Sequence, residues 1–123
     1  MISLFDVCKK SLNSSLHHNS HCFYFKSKQI NVLESPTDFY AHLKNKIETS
    51  RNHIFIASLY LGKQEKDLIS CLSDAMKKNS NLKLYFIVDG LRGTRESPSP
   101  CSASLLASLV QKYGNRVDVR CYR

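Results

Sequence analysis

Two short stretches of the sequence combine the residue types that bind phosphate groups. The richer one, residues 89–96, holds two glycines, two arginines and two acids. Glycine lets a backbone approach a phosphate closely, and an arginine can bind one through two parallel hydrogen bonds. Arg92 and Arg95 are therefore candidate contacts for the phosphate of a substrate. The alternative is a surface loop in which these arginines pair with Asp89 and Glu96.

The second stretch, residues 57–64, partly matches a loop that cradles nucleotide phosphates. A Gly-Lys pair between a strand and a helix is the arrangement that this loop requires. Ala57 replaces the first glycine of the motif, and Gln64 stands where a serine or threonine would hold magnesium. A nucleotide site and a plain strand-to-helix turn with an exposed lysine both remain open. The candidate nucleotide-binding residues are Ala57, Ser58, Leu59, Tyr60, Leu61, Gly62, Lys63 and Gln64.

No catalytic or metal-binding pattern is found elsewhere in the sequence. A G-x-S-x-G elbow and an H-E-x-x-H helix are both absent. The five cysteines form no C-x-x-C pair, and their odd number favours free thiols in a reducing compartment. One small cluster, His17, His18, His21 and Cys22, lies in a segment that supplies no further ligand, so we predict no metal site.

The composition limits the class of protein and its partners. A length of 123 residues allows one domain at most, and 42% hydrophobic with 23% charged residues is typical of a soluble globular chain. No apolar run is long enough to cross a membrane. The net charge of +8 favours phosphate-bearing partners such as anionic lipids or nucleotides, or is simply a solvated basic face. A nucleic-acid partner is not expected, because no recognised motif for one is present.

The first 29 residues differ from the remainder. They contain four lysines against one acid, and they are rich in serine. This composition is typical of a mitochondrial transit peptide, although arginine is absent, and a disordered tail fits equally well. We therefore predict a leader over residues 1–29 and a folded domain over residues 30–123.

From residue 30 onward, short apolar runs alternate with amphipathic stretches. Ser35-Pro36 is a strong helix start, and Gly114 is a strong helix end. Residues 53–59 are apolar almost throughout, which predicts a central strand covered on both faces. The predicted order is βαβαβαβ, with strands over residues 29–34, 53–59, 82–88 and 116–122. This order predicts an α/β fold with a mostly parallel sheet, and ligands beyond the carboxyl ends of its strands.

Several short sequence motifs of this folded part occur in the same order and spacing in a known family. They are residues 33–40 (LESPTDFY), 54–62 (IFIASLYLG), 88–96 (VDGLRGTRE) and 101–106 (CSASLL). These motifs are similar to those of the phosphatidylglycerophosphate synthases of fungal and animal mitochondria, and the last motif resembles the fungal form most. The resemblance runs from about Ile30 to Arg123.

The resemblance implies a partial phospholipase-D-like half-domain. That superfamily has two similar α/β halves, each with one His-x-Lys-x4-Asp motif, and one histidine acts as nucleophile while the other acts as general acid and base. The family transfers a phosphatidyl group from CDP-diacylglycerol to glycerol 3-phosphate for cardiolipin synthesis at the mitochondrial inner membrane. It therefore implies these two substrates, peripheral membrane contact and no required cofactor, because CMP is already a good leaving group.

The sequence departs from this family in lacking both catalytic motifs. The nearest match, His42-Leu43-Lys44, has Thr49 in place of the aspartate and lies in a predicted helix. We therefore predict that no catalytic residue is present, that the chain is the front part of the enzyme and ends before the first motif, and that it is inactive alone. The alternative is a half-domain that binds anionic lipid or a partner without catalysis.

Overall fold

A computed structural model describes residues 23–62, 65–95 and 101–123 of the chain. The chain divides into two units, Met1–Val32 and Leu33–Arg123. In the first unit the described residues, 23–32, contain one turn of 3-10 helix at Ser27–Gln29, flanked by extended backbone at Lys26 and Ile30. The histidine and cysteine cluster at residues 17–22 lies outside the described residues, as does most of the predicted leader.

The second unit is an α/β structure, as predicted. Its helices are α1 (Pro36–Glu48), α2 (Lys66–Lys78) and α3 (Ser102–Tyr113), and its strands are β1 (His53–Ser58), β2 (Lys83–Asp89) and β3 (Val117–Tyr122). A short 3-10 turn, Gly114–Arg116, joins α3 to β3. Helices and strands alternate along the chain, which is the pattern that produces parallel sheets.

The helix ends that were predicted from the sequence are formed by the expected residues. Ser35 is the N-cap of α1, and its hydroxyl oxygen accepts the N–H of Asp38 at 3.0 Å. Pro36 follows at the first helical position, where its missing N–H costs nothing. At the end of α3, Gly114 has a φ of +55°, a conformation that favours glycine over other residues.

The three strands form one parallel sheet in the order β1-β2-β3. α2 connects the first pair of strands and α3 connects the second pair, and both connections advance in the same direction across the sheet. Because crossovers between parallel strands are right-handed, an order without a reversal places these helices on the same face.

The hydrophobic core lies between the helices and this covered face of the sheet. Side chains alternate along each strand, so that Leu84, Phe86 and Val88 of β2 all point into the core and are at most 2% exposed. α2 contributes the most buried helical side chains, which are Leu68, Cys71, Leu72, Ala75 and Met76. α3 adds Leu106 and Leu109.

The opposite face of the sheet is open to solvent. Phe55 of β1 is 73% exposed, and its ring stacks on that of Tyr85 with the centroids 4.7 Å apart. A groove of about 410 Å³ runs over this face. The prediction that residues 53–59 form a central strand covered on both faces is therefore wrong: β1 is an edge strand with one covered face. Parallel sheets normally carry a layer on each face, and the described residues supply one.

The prediction of a strand over residues 29–34 is also wrong. Gln29 ends the 3-10 helix, and residues 30–34 pair with no strand in the described part of the chain. Ile30 and Val32, whose apolar side chains prompted the prediction, are 61% and 77% exposed. A short apolar alternation forms a strand only when an edge pairs with it and a face buries it. The second unit therefore runs αβαβαβ instead of βαβαβαβ.

We expect the buried Cys71 thiol to react with iodoacetamide more slowly than the exposed Cys121 thiol. Burial, followed by the nearby charge of Glu48, raises the pKa of the Cys71 thiol, and alkylation requires the thiolate. Site-resolved mass spectrometry of the native chain measures both rates. The difference should vanish in guanidinium chloride, and equal rates in the native chain would show that α2 is not packed as described.

Candidate functional site

The three strands end together at one edge of the sheet. Asp89 at the end of β2 is opposite Tyr122 of β3, and Ser58 at the end of β1 is opposite Val88. A cleft of about 510 Å³ opens at this edge, lined by Ala57, Ser58, Leu59, Ile87, Val88, Asp89 and Tyr122. The carboxyl edge of a parallel sheet is where ligands bind in open α/β structures. Both stretches predicted to meet phosphate begin here.

The Asp89 side chain shapes the loop that follows β2. One of its carboxylate oxygens accepts the N–H groups of Leu91 at 3.1 Å and Arg92 at 2.7 Å. Its carbonyl oxygen accepts the N–H of Gly93 at 2.7 Å. The carboxylate is therefore occupied by backbone donors, not by an arginine.

The two arginines of this loop are exposed. Arg92 and Arg95 form no ion pair with any residue that the structure describes, and Glu96 lies outside those residues. The alternative of an Asp89–arginine pair is thus not realised. The backbone of Arg92 is fixed through its bond to Asp89 while its guanidinium faces water, which is the arrangement that a phosphate contact needs.

The glycines of the loop permit close packing of the backbone. A Cβ atom on Gly93 would lie 2.5 Å from the carbonyl oxygen of Asp89 and 2.8 Å from Cγ2 of Val88. A Cβ atom on Gly90 would lie 2.9 Å from the carbonyl oxygen of Tyr122, which also accepts the N–H of Gly90 at 2.6 Å. These glycines therefore let the loop fold against β2 and β3.

The first turn of α3 joins the two loops of the carboxyl edge. Ser102 is 1% exposed, and its hydroxyl oxygen accepts the N–H of Leu61 at 2.7 Å. The next residue, Ala103, donates its N–H to the carbonyl oxygen of Gly93 at 3.0 Å. The role of Ser102 depends on a partner 41 residues away, for which the sequence carries no local signal.

The loop after β1 is held by its own polar groups. The Ser58 hydroxyl donates to the carbonyl oxygen of Tyr60 at 3.0 Å, and the N–H of Leu61 is taken by Ser102. Lys63 and Gln64 lie outside the described residues. A phosphate loop uses free backbone N–H groups, so the bond from Leu61 removes one of the donors that residues 57–62 could offer.

Acidic side chains flank the start of the helix that follows this loop. Asp67 lies in the first turn of α2, where its charge suits the helix dipole in place of a bound anion. The Tyr40 hydroxyl donates to a carboxylate oxygen of Glu65 at 3.2 Å. Burial, followed by the charge of Glu65, raises the pKa of Tyr40. A nucleotide at residues 57–64 stays a prediction.

The described residues contain neither a metal-binding cluster nor a membrane-spanning helix. Within residues 23–62, 65–95 and 101–123, no group of three or more His, Cys, Asp or Glu side chains could hold a metal ion. The helices in the same ranges are too short or too polar to cross a bilayer.

Comparison with known proteins shows a close likeness to one enzyme. A CDP-diacylglycerol--glycerol-3-phosphate 3-phosphatidyltransferase of Saccharomyces cerevisiae is 56% identical over 115 residues, or 92% of this chain. The protein of the same name from Schizosaccharomyces pombe is 42% identical over 81% of the chain. A human relative, whose name adds "mitochondrial", is 31% identical over 81% of the chain.

These relatives are much longer than the chain. It spans 22% of the Saccharomyces cerevisiae protein, 20% of the Schizosaccharomyces pombe protein and 19% of the human protein. No family model matches the chain. The likeness therefore concerns about a fifth of each relative, and this fifth includes both loops of the carboxyl edge.

Replacing Ser102 by alanine should lower the free energy of unfolding by about 1–3 kcal/mol, because it leaves the buried N–H of Leu61 without an acceptor. Urea denaturation followed by circular dichroism measures the change. Ser108→Ala is the matched control, since Ser108 is exposed on the same helix and bonds only to the carbonyl oxygen of Leu105. Equal effects of the two substitutions would contradict the role assigned to Ser102.

Gly93→Ala should also destabilise the chain, by about 1–3 kcal/mol, because the new methyl group meets the fixed backbone of Asp89 and the side chain of Val88. Gly62→Ala provides the control, since its Cβ would meet only Cγ of Glu65 at 3.8 Å. Thermal denaturation of both variants compares the two sites. A Gly93→Ala variant as stable as Gly62→Ala would mean that the loop after β2 packs differently.

Proposed function

Because the chain is homologous over 92% of its length to CDP-diacylglycerol--glycerol-3-phosphate 3-phosphatidyltransferases, we propose that it is part of an enzyme with this activity. In that reaction the phosphatidyl group is transferred from CMP to a hydroxyl oxygen of glycerol 3-phosphate, which loses its proton. The products are phosphatidylglycerophosphate and CMP. The sequence identity of 56% is the observation that carries the proposal.

The contribution of this chain is a scaffold at the edge of the reaction site. Every phosphate in the reaction is anionic, and Arg92 and Arg95 are exposed cations on a loop that Asp89 and Gly93 hold in place. We assign these arginines to the substrate phosphates. The net charge of +8 acts in the same direction, since it attracts anionic substrates over longer distances.

The catalytic groups are expected to come from other parts of the enzyme. The sequence contains no His-x-Lys-x4-Asp motif, so no residue here is assigned to nucleophilic or acid–base catalysis. Membership of the phospholipase D superfamily rests on the resemblance of the sequence motifs and is part of the proposal. Vertebrate relatives carry "mitochondrial" in their names, and we extend this location to the present protein, at the inner membrane.

A second candidate function is a half-domain that binds lipid or a protein partner without catalysis. The observation that favours it is the open face of the sheet, where the exposed ring of Phe55 stacks on the half-buried ring of Tyr85. A catalytic role and this one differ in a measurable way. Only the first requires the carboxyl-edge arginines for turnover in a complete enzyme.

We expect the 123-residue chain alone to release no CMP from CDP-diacylglycerol and glycerol 3-phosphate. A chimera should be active if the matching segment of the Saccharomyces cerevisiae relative is replaced by this chain, because the two are 56% identical. CMP release from detergent-solubilised substrate measures both. An inactive chimera that folds and is expressed would argue against the shared function, and turnover by the isolated chain would show that the absent motifs are not needed.

In the active chimera, Arg92→Ala and Arg95→Ala should each raise KM for one of the anionic substrates by roughly tenfold, as expected for loss of a charge-assisted hydrogen bond. Arg51→Ala is the matched control, since Arg51 is an exposed arginine that precedes β1 and does not belong to either loop. Steady-state kinetics with each substrate varied in turn separates the two sites. Unchanged KM values in both loop variants would remove the arginines from the substrate site.

A further inference from the structure

Residues 23–32 form an exposed apolar segment that the proposed reaction does not explain. Half of these ten residues are large hydrophobic side chains, and each of them is more than 60% exposed: Phe23, Tyr24, Phe25, Ile30 and Val32. Single apolar side chains on a surface are ordinary, whereas contiguous ones mark an interaction site. Three of these side chains are consecutive aromatics.

Two exposed lysines lie at the centre of this segment. Lys26 is the N-cap of the 3-10 turn Ser27–Gln29, and Lys28 lies within it. The turn is closed by a 2.8 Å bond from the N–H of Gln29 to the carbonyl oxygen of Lys26. The backbone is extended at Lys26 and at Ile30, and the apolar side chains lie before and after the lysines along the chain. No acidic residue occurs between Asp6 and Glu34, which leaves this positive charge uncompensated along the chain.

The combination of aromatic rings and lysines fits the surface of an anionic bilayer. Aromatic side chains favour the boundary between hydrocarbon and headgroups, and lysines bind anionic headgroups while their stems lie along apolar surface. A stretch of ten residues is too short to cross the hydrocarbon core, which limits it to the interface.

The segment also lies within the part of the chain that matches the Saccharomyces cerevisiae protein. The match to the Saccharomyces cerevisiae protein covers 92% of the chain, so at most about 10 of the 123 residues are unmatched, fewer than the number that precede Phe23.

We propose that residues 23–32 dock the protein on the surface of an anionic lipid bilayer. Phe23, Tyr24 and Phe25 enter the interface, and Lys26 and Lys28 contact lipid phosphates. The inference rests on the proposed function and deepens it, because the phosphatidyl donor is itself an anionic membrane lipid. An enzyme held at the bilayer surface meets this substrate by diffusion in two dimensions.

The test is flotation of the complete 123-residue chain with vesicles of phosphatidylcholine, with and without phosphatidylglycerol. We expect binding to the anionic vesicles that weakens as salt rises. A lysine near an anionic surface changes the partition coefficient about fivefold, so the Lys26→Gln/Lys28→Gln variant should bind roughly 30-fold more weakly. The Phe23→Ser/Tyr24→Ser/Phe25→Ser variant should bind at least about tenfold more weakly, since it loses the apolar contact.

Two controls separate this segment from the rest of the chain. Lys77→Gln/Lys78→Gln makes the same change of charge at exposed lysines of α2, and Phe55→Ser removes an exposed ring from the open face. Far-UV circular dichroism confirms that each variant is folded. Equal losses in the two lysine variants, or loss of binding in Phe55→Ser alone, would overturn the proposal, as would absence of binding by the unmodified chain.

The flotation experiment tests the docking segment separately from the proposed reaction. Flotation needs no turnover, and the chimera assay in detergent needs no bilayer. An active chimera together with a chain that does not bind vesicles would overturn the docking segment and keep the reaction. Vesicle binding that depends on residues 23–28, together with an inactive chimera, would support the segment and remove the reaction.

Discussion

The position of β2 in the middle of the sheet is the constraint on which the second unit depends. Both of its edges are paired, and Leu84, Phe86 and Val88 are at most 2% exposed beneath the helices. Its last residue, Asp89, then fixes the following loop through bonds to backbone N–H groups. The same strand thus anchors the core along its length and places the arginine loop at its end.

Hydrogen bonds between distant parts of the chain hold the carboxyl edge together. The loop after β1 and the loop after β2 meet at the first turn of α3, through the bonds Leu61–Ser102 and Gly93–Ala103. This turn therefore links the two loops to each other, in addition to the bonds that each loop makes within itself. The edge therefore combines a rigid base with side chains that remain exposed to solvent, which is what a site for anionic substrates requires.

Local sequence patterns predicted most of the helices and strands. Which strands pair and which faces are covered depends on residues far away in the sequence, so these features were not predicted. Ser35-Pro36 and Gly114 were sufficient to locate helix ends, because capping depends on neighbouring residues. The apolar run of β1 predicted a strand correctly but not which face would be covered, since that depends on the number of helical layers. The prediction of a strand over residues 29–34 was wrong because a strand also needs a pairing partner elsewhere in the chain, which its own sequence does not reveal.

The candidate site shows the same division between what is local and what is not. The location of both loops followed from the alternation of strands and helices along the sequence. One of the two interpretations of this loop had its arginines paired with Asp89 and Glu96, because opposite charges lie close together along the sequence. The actual partners are N–H groups of Leu91 and Arg92, which every non-proline residue carries and no pattern of side chains distinguishes.

The open face of the sheet makes this chain unusually easy to probe by fluorescence. The sequence contains no tryptophan, and Phe55 is exposed on the face that carries no helix. Since alternate residues of β1 point to opposite faces, a Phe55→Trp substitution would leave Ile54 and Ile56 in the core undisturbed. Its single indole would report, by the wavelength of its emission, when another surface excludes water from this side of the sheet.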